Sequence, residues 1–268
     1  MQGCTQTSEA IERHGRPLCR RYLLLHVEAV STPVRDSGAS RDQIVRWALG
    51  VLADGQYEAL GAWLKPESRA TTWHAVFEDL QVRGVEKVRF IVSNELEAVR
   101  AELAMARSGA TVLPSTGQLL CQSLAQTAPR HRRLASDALC AIRAAGTIQA
   151  ARAAVTDLEA SPWGAMYPAE VVRWRDAVED LEPFYALEPR LRRLVRSGDE
   201  AAQRVAETLQ RAVARKGCFP SETAAIAFIS EVLDRVDRGF GTAGPVAARG
   251  AWNHIRGLGE GSAPAFCH

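Results

Sequence analysis

Lysine is almost missing from this 268-residue chain: Lys65, Lys87 and Lys216 are three of 33 basic residues, which leaves 30 arginines. That skew comes with abundant alanine and has the mark of GC-rich coding, so arginine richness alone is no argument for phosphate contacts. A surplus of one charge is also lacking. The net charge of +2 is too small to point to nucleic acid by electrostatics alone. No apolar run reaches the roughly 18–20 residues that a membrane span needs. The opening segment MQGCTQTSEAIERHGRPLCRR carries charge and no apolar centre, so we expect no signal peptide and a cytoplasmic protein. Six cysteines, at positions 4, 19, 121, 140, 218 and 267, show no C-x-x-C spacing. A zinc site or disulfide framework is therefore not expected, and reduced thiols are. There is no glycine-rich phosphate loop and no Ser-His-Asp or Cys-His signature, so a small-molecule enzyme has no support. His26 and His74 are isolated histidines and read as structural.

What is present is an ordinary globular composition, 47% hydrophobic and 24% charged, long enough for one large or two small domains. The organising stretch is GVEKVRFIVSNELEAVR, residues 84–100. Val88 to Val92 reads as a buried strand, Ser93-Asn94-Glu95 as a turn, and Leu96, Val99 and Leu103 as one face of a helix. A strand that feeds a helix in this way puts its turn residues at the carboxyl edge of a sheet, where α/β proteins keep their chemistry.

Upstream, Tyr22 to Val30 predicts a first strand, with His26 and Glu28 two residues apart and so on one face. A carboxylate there must be solvated, paired or bound to a metal. Arg35 to Asp42 predicts a turn cluster, Ile44 to Leu52 a second strand, Asp54-Gly55 a hairpin turn and Tyr57 to Leu64 a third strand. Pro66-Glu67-Ser68 should open a helix whose core face is Trp73, Val76, Phe77 and Leu80, closed by Gly84. Ala110 to Leu113 predicts a short fifth strand. From Gln118 to about Leu187 the periodicity is helical throughout. Gly198-Asp199 predicts the start of a helix that ends at Lys216-Gly217, and Ser221-Glu222 the cap of a last helix. The domain reading is an N-terminal extension over 1–20, a main domain over 21–238 with a helical insertion at about 118–190, and a loose tail over 239–268.

From Tyr22 to about Val236 the chain resembles the catalytic region of the mutator-type transposases of bacterial insertion sequences. The matching stretches are ALGVLADGQYEALGAWL (48–64), WHAVFEDLQVRGVEKVRFIVSNE (73–95), IRAAGTIQAARAAV (142–155), YPAEVVRW (167–174) and RKGCFPSETAAIAFI (215–229). Their order and spacing agree with the family. The resemblance implies an α/β, ribonuclease-H-like fold: a mixed five-stranded sheet with an all-helical insertion before the last catalytic helix. It also implies DNA cutting and joining by an Asp-Asp-Glu set that holds two Mg²⁺ ions, hard cations that favour anionic oxygen.

Carried over position by position, the first acid falls on Glu28, counted back from Val34-Arg35. The second falls on Asn94, because the family's Ile-Val-Ser-Asp reads Ile91-Val92-Ser93-Asn94 here. For the third, counting back from Gly217 to Pro220 gives Gln203, and counting forward from Arg192-Arg193 gives Ala202. One acid of three survives, so a metal pair is not expected. The nearby acids in reach of these positions are Glu95, beside Asn94, and Glu200 and Glu207, near Gln203. The family's Cys-x-x-His pair corresponds to Pro114 and Gly117, and its N-terminal DNA-binding segment has no counterpart in this sequence. The expected protein is a truncated, catalytically degenerate relative that associates with DNA; the alternative is a non-catalytic DNA- or protein-binding module. Arg211, Arg215 and Lys216 are the candidate DNA contacts. Assembly with itself or with an intact relative is the expected oligomeric state, since these enzymes work as oligomers.

Overall fold

The computed structural model describes residues 16–36, 39–64 and 72–242. The extension before residue 16, the helix opening expected at Pro66-Glu67-Ser68 and the tail after residue 242 lie outside these. Five strands form one sheet in the order β3-β2-β1-β4-β5, with β1 at Arg21–Asp36, β2 at Ala39–Val51, β3 at Tyr57–Leu64, β4 at Lys87–Ser93 and β5 at Thr111–Pro114. β1 pairs antiparallel with β2, β2 antiparallel with β3, and β1 parallel with β4. Two register pairs fix the central chemistry: Glu28 lies opposite Trp47, and His26 opposite Val92.

The first two strands are longer than their apolar runs. Pairing continues past Val30 through Thr32↔Gln43 to Arg35↔Ser40, so the polar segment read as a turn cluster is mostly ladder. Backbone pairing does not need apolar side chains, and hydropathy alone stops the strand too early. The β2–β3 turn is as expected. Gly55 takes φ +89°, Leu52 N–H donates to Gln56 O at 2.9 Å, and Asp54 Oδ1 accepts from Gln56 N at 3.0 Å. Gly50 answers a packing demand, because a Cβ there would lie 2.5 Å from the Tyr22 ring.

The helices are α1 Thr72–Val82, α2 Leu96–Met105, α3 Thr116–Gln126, α4 Arg132–Ala144, α5 Ile148–Ala160, α6 Pro162–Met166, α7 Pro168–Asp180, α8 Glu182–Tyr185, α9 Pro189–Lys216 and α10 Glu222–Thr242. The chain divides into two compact units, one made of residues up to Val112 with those from Ala201 on, the other of Leu113–Glu200.

In the first unit the sheet is covered on both faces. Leu25, Val27, Ala48 and Ile91 pack with Trp73, Val76, Phe77 and Leu80 of α1 and with Val99 and Leu103 of α2. Val30, Val45, Trp47 and Ala62 pack with Ala201, Ala202, Val205 and Leu209 of α9 and with Ile229 and Leu233 of α10. Period-2 alternation in the strands and 3.6-residue stripes in the helices produce this layering. The alanines of α9 let its backbone approach a sheet face that already carries the fully buried Trp47.

The second unit is helical around Leu139, Ile142, Val155, Leu158, Trp163, Val171 and Trp174. Its two buried tryptophans keep their indole N–H groups satisfied: Trp163 donates to Thr127 Oγ1 at 3.2 Å and Trp174 to Ser123 Oγ at 3.0 Å.

Two boundaries differ from the sequence reading. α9 begins at Pro189, nine residues before the expected start at Gly198. Asp199, read as part of the helix start, lies inside α9 and caps another helix: its Oδ2 accepts from Gly117 N in the first turn of α3 at 2.8 Å. The last helix runs to Thr242, so residues 239–242 are helix rather than tail. Ser221 caps that helix as expected, accepting from Ala224 N at 3.1 Å.

Candidate functional site

The carboxyl end of β4 and the middle of β1 are neighbours because those strands run parallel. Ser93 shapes the turn out of β4: it is buried, and its Oγ accepts from Glu95 N at 3.1 Å. The turn carries Asn94 to Glu28. Its Nδ2 donates to both carboxylate oxygens, at 3.1 Å to Oε2 and 3.3 Å to Oε1. Glu28 is 7% exposed, whereas Asn94 is exposed. His26, on the same strand face, brings Nδ1 to 3.7 Å from Glu28 Oε1.

Glu95 is engaged as well. Its Oε2 accepts from Trp73 Nε1 at 2.9 Å and from Arg46 Nη2 at 3.2 Å, and the Arg46 guanidinium sits 4.9 Å from the Trp73 ring centre. Trp73 is core, as its spacing predicts, at 2% exposed, and it is also a hydrogen-bond donor. Arg46 and this second role of Trp73 are what the sequence reading missed. The available signal was a single arginine inside the apolar strand IVRWALGVL, since a guanidinium on a half-buried strand needs a carboxylate partner.

Gln203 lies on α9 and donates from Nε2 to Glu207 Oε1, one turn on, at 3.4 Å. Ala202, the other candidate, is buried in the core. Glu200 and Glu207 are exposed. Pro114 ends β5, and Gly117 donates its backbone amide to Asp199. In the helical unit the Asp199 carboxylate also accepts from Ser115 Oγ at 2.8 Å and Thr116 Oγ1 at 2.9 Å, with Arg143 Nη2 at 3.9 Å.

The resemblance implies a pair of Mg²⁺ ions, and the donor set does not fit them. Mg²⁺ needs oxygen at about 2.0–2.1 Å and anionic charge to replace its water. Here Glu28 already accepts from an amide, Glu95 is paired with Arg46, and Asn94 turns its N–H₂ end inward. Among the described residues, no three His, Cys, Asp or Glu side chains are grouped to hold a metal ion.

A basic stripe marks the end of α9. Arg204, Arg211 and Arg215 are spaced seven and four apart and so share a face; with Lys216 they are exposed. The loop that follows joins the far end of the sheet, where Phe219 N donates to Pro33 O and Arg35 N to Phe219 O, both at 2.8 Å. The exposed Arg35 and Arg41 belong to the β1–β2 hairpin at that end. No local pattern links them to α9, because the connection is made by backbone atoms far apart in sequence. No helix among the described residues is long and apolar enough to cross a membrane.

Comparison with known proteins agrees with the resemblance. The transposase for insertion sequence element ISRM3 of Rhizobium meliloti is 31% identical over 223 residues, 83% of this chain and 56% of that protein. A probable transposase for an ISRM3-like element of Sinorhizobium fredii is 31% identical over 230 residues, 85% of this chain and 57% of its own length. A probable insertion-sequence transposase of Corynebacterium diphtheriae is 29% identical over 211 residues, 79% of this chain and 61% of its own. The chain thus spans somewhat over half the length of these relatives. Among solved structures, a chain of the Drosophila P element transposase strand transfer complex aligns with 94% of this chain and 77% of its own, at 10% identity and a TM-score of 0.31, a likeness too loose to argue from. The family model described as "Transposase, Mutator family" matches residues 3–243, and the chain belongs to that family.

Proposed function

We propose that this chain is a DNA-associated member of the mutator transposases that binds DNA without cutting or joining it. The observation that carries the reading is the Glu28–Asn94 contact. At the positions that correspond to the family's first two acids, a carboxylate meets an amide donor and not a second carboxylate. The strand order β3-β2-β1-β4-β5, with only β1 and β4 paired in parallel among the three pairings resolved by register, supports a ribonuclease-H-like arrangement. That fold would bring Glu28, Asn94 and Gln203 to one sheet edge. In-line phosphodiester displacement depends on two ions about 3.5–4 Å apart that stabilise the entering and leaving oxygens; one surviving anion does not hold such a pair against water.

DNA association is supported by the stripe of Arg204, Arg211, Arg215 and Lys216 and comes through the phosphate backbone. A binding role rather than strand transfer also fits assembly with itself or with an intact relative, the latter supplying catalysis.

The test is labelled duplex DNA with Mg²⁺ or Mn²⁺. We expect retention that weakens with salt, and no nicking. If three phosphate contacts come from Arg211, Arg215 and Lys216, their joint replacement by alanine lowers the slope of log K against log salt by about 2.7. Nicking that disappears in Glu28→Ala, or binding indifferent to salt, would contradict the proposal.

A further inference from the structure

We propose that Asn94 is a built-in plug on Glu28: its amide nitrogen uses the oxygen lone pairs through which that carboxylate would chelate a cation. The edge of the sheet is thereby held together with no ion. The inference rests on the reading of Glu28 and Asn94 as the paired positions of the family's site, and it adds that the site is closed as well as depleted.

Three observations carry it. The amide nitrogen is nearly equidistant from the two Glu28 oxygens, at 3.1 and 3.3 Å, and therefore sits on the plane that bisects the carboxylate. A chelated ion would occupy the same plane at the shorter distances typical of Mg²⁺ or Ca²⁺, about 2.0–2.6 Å, so it must displace the amide to bind both oxygens. Glu28 is buried and Asn94 exposed, which puts the donor on the more solvated member of the pair. The adjacent carboxylate, Glu95, is drawn off by Trp73 Nε1 and Arg46 Nη2, and the guanidinium adds positive charge beside the turn where a cation would bind.

The chemistry makes the amide position a switch between two modes of compensation. An amide donor satisfies a buried anion by hydrogen bonding. A carboxylate in its place would repel Glu28 unless one of the two is protonated or a cation lies between them. Asn94→Asp therefore converts an ion-independent edge into an ion-dependent one.

The experiment uses the full chain without DNA. Thermal unfolding in EDTA and in millimolar Mn²⁺, with bound Mn²⁺ counted by electron paramagnetic resonance, is compared for the wild type, Asn94→Asp and Glu28→Gln. The wild type is expected to unfold at the same temperature in both media and to bind no Mn²⁺. Asn94→Asp is expected to unfold about 3–6 °C lower in EDTA, to recover in Mn²⁺, and to bind one ion. Two results would overturn the inference: Mn²⁺ bound by the wild type and lost in Glu28→Gln, or a folded Asn94→Asp that ignores the ion. The wild-type comparison with Glu28→Gln decides the matter even where Asn94→Asp does not fold. Strand cutting by the wild type, a separate measurement, bears on the proposed function, whereas these ion responses bear on the plug.

Discussion

Single side chains packed around the end of β4 do two jobs, and Trp73 of α1 is the clearest case. Its ring fills the core between α1 and the sheet, while its N–H holds Glu95 at 2.9 Å. Trp73→Phe keeps most of the apolar area and removes the donor. Because Glu95 remains 40% exposed, water replaces part of what is lost, so the expected cost is about 1 kcal/mol. Urea denaturation measures it, and a cost near that of a truncation to alanine, about 3–5 kcal/mol, would mean that the ring itself had lost its fit. The layout of this edge was legible in the sequence: the buried strand read over Val88 to Val92 and the turn read at Ser93-Asn94-Glu95 are β4 and its exit. Its bonding was not. Nothing in the spacing of Arg46, Trp73 and Glu95 shows that they meet, because strand register and the lie of α1 decide it.

Elements are tied together by buried polar groups that hydropathy treats as noise. Asp199 on α9 fastens the first turn of α3 through Gly117 N and the hydroxyls of Ser115 and Thr116. A helix N-terminus leaves unpaired N–H groups and partial positive charge, which a carboxylate satisfies. Asp199→Ala removes three charge-assisted hydrogen bonds and is expected to cost about 3 kcal/mol. Faster hydrogen exchange at the first amides of α3 checks the assignment; exchange changed only within α9 would speak for a local role. This is also where the sequence reading of α9 went astray. Gly198-Asp199 has the composition of a helix start, but the aspartate caps at long range, and Gly198 sits inside the helix.

The N-terminal end of β1 shows a second tie. The Tyr22 hydroxyl donates to Glu58 Oε2 on β3 at 2.5 Å, and Arg16 Nη2 lies 3.0 Å from Glu58 Oε1. Burial first, then the hydrogen bond and charge of Glu58, push the Tyr22 phenol far above its ordinary value near 10. A group whose folded value is raised gives stability that is complete below its unfolded pKa and drains as pH rises past it. Above about pH 10, this residue should therefore cost the fold about 1.4 kcal/mol per pH unit. Denaturation midpoints between pH 9 and 11 should fall more steeply for the wild type than for Tyr22→Phe; equal slopes would show that the phenol titrates as it does in water.

At the scale of the whole molecule, the order of elements follows from patterns that the sequence displays openly: three strands, the second and third joined by an Asp-Gly turn, then a helix, a buried strand and another helix. The full lengths of β1 and β2 were hidden because backbone pairing runs through polar residues such as Thr32 and Gln43. The functional account depends on charge at one edge of this sheet, where Glu28 and Glu95 are both already compensated by the protein's own donors. The most direct test counts Mn²⁺ ions on the wild-type chain in its complex with duplex DNA, since phosphate oxygens are the additional ligands that catalysis would recruit. The account predicts no difference in bound Mn²⁺ between the wild type and Glu28→Gln, whereas two ions per chain that vanish with Glu28→Gln would contradict it.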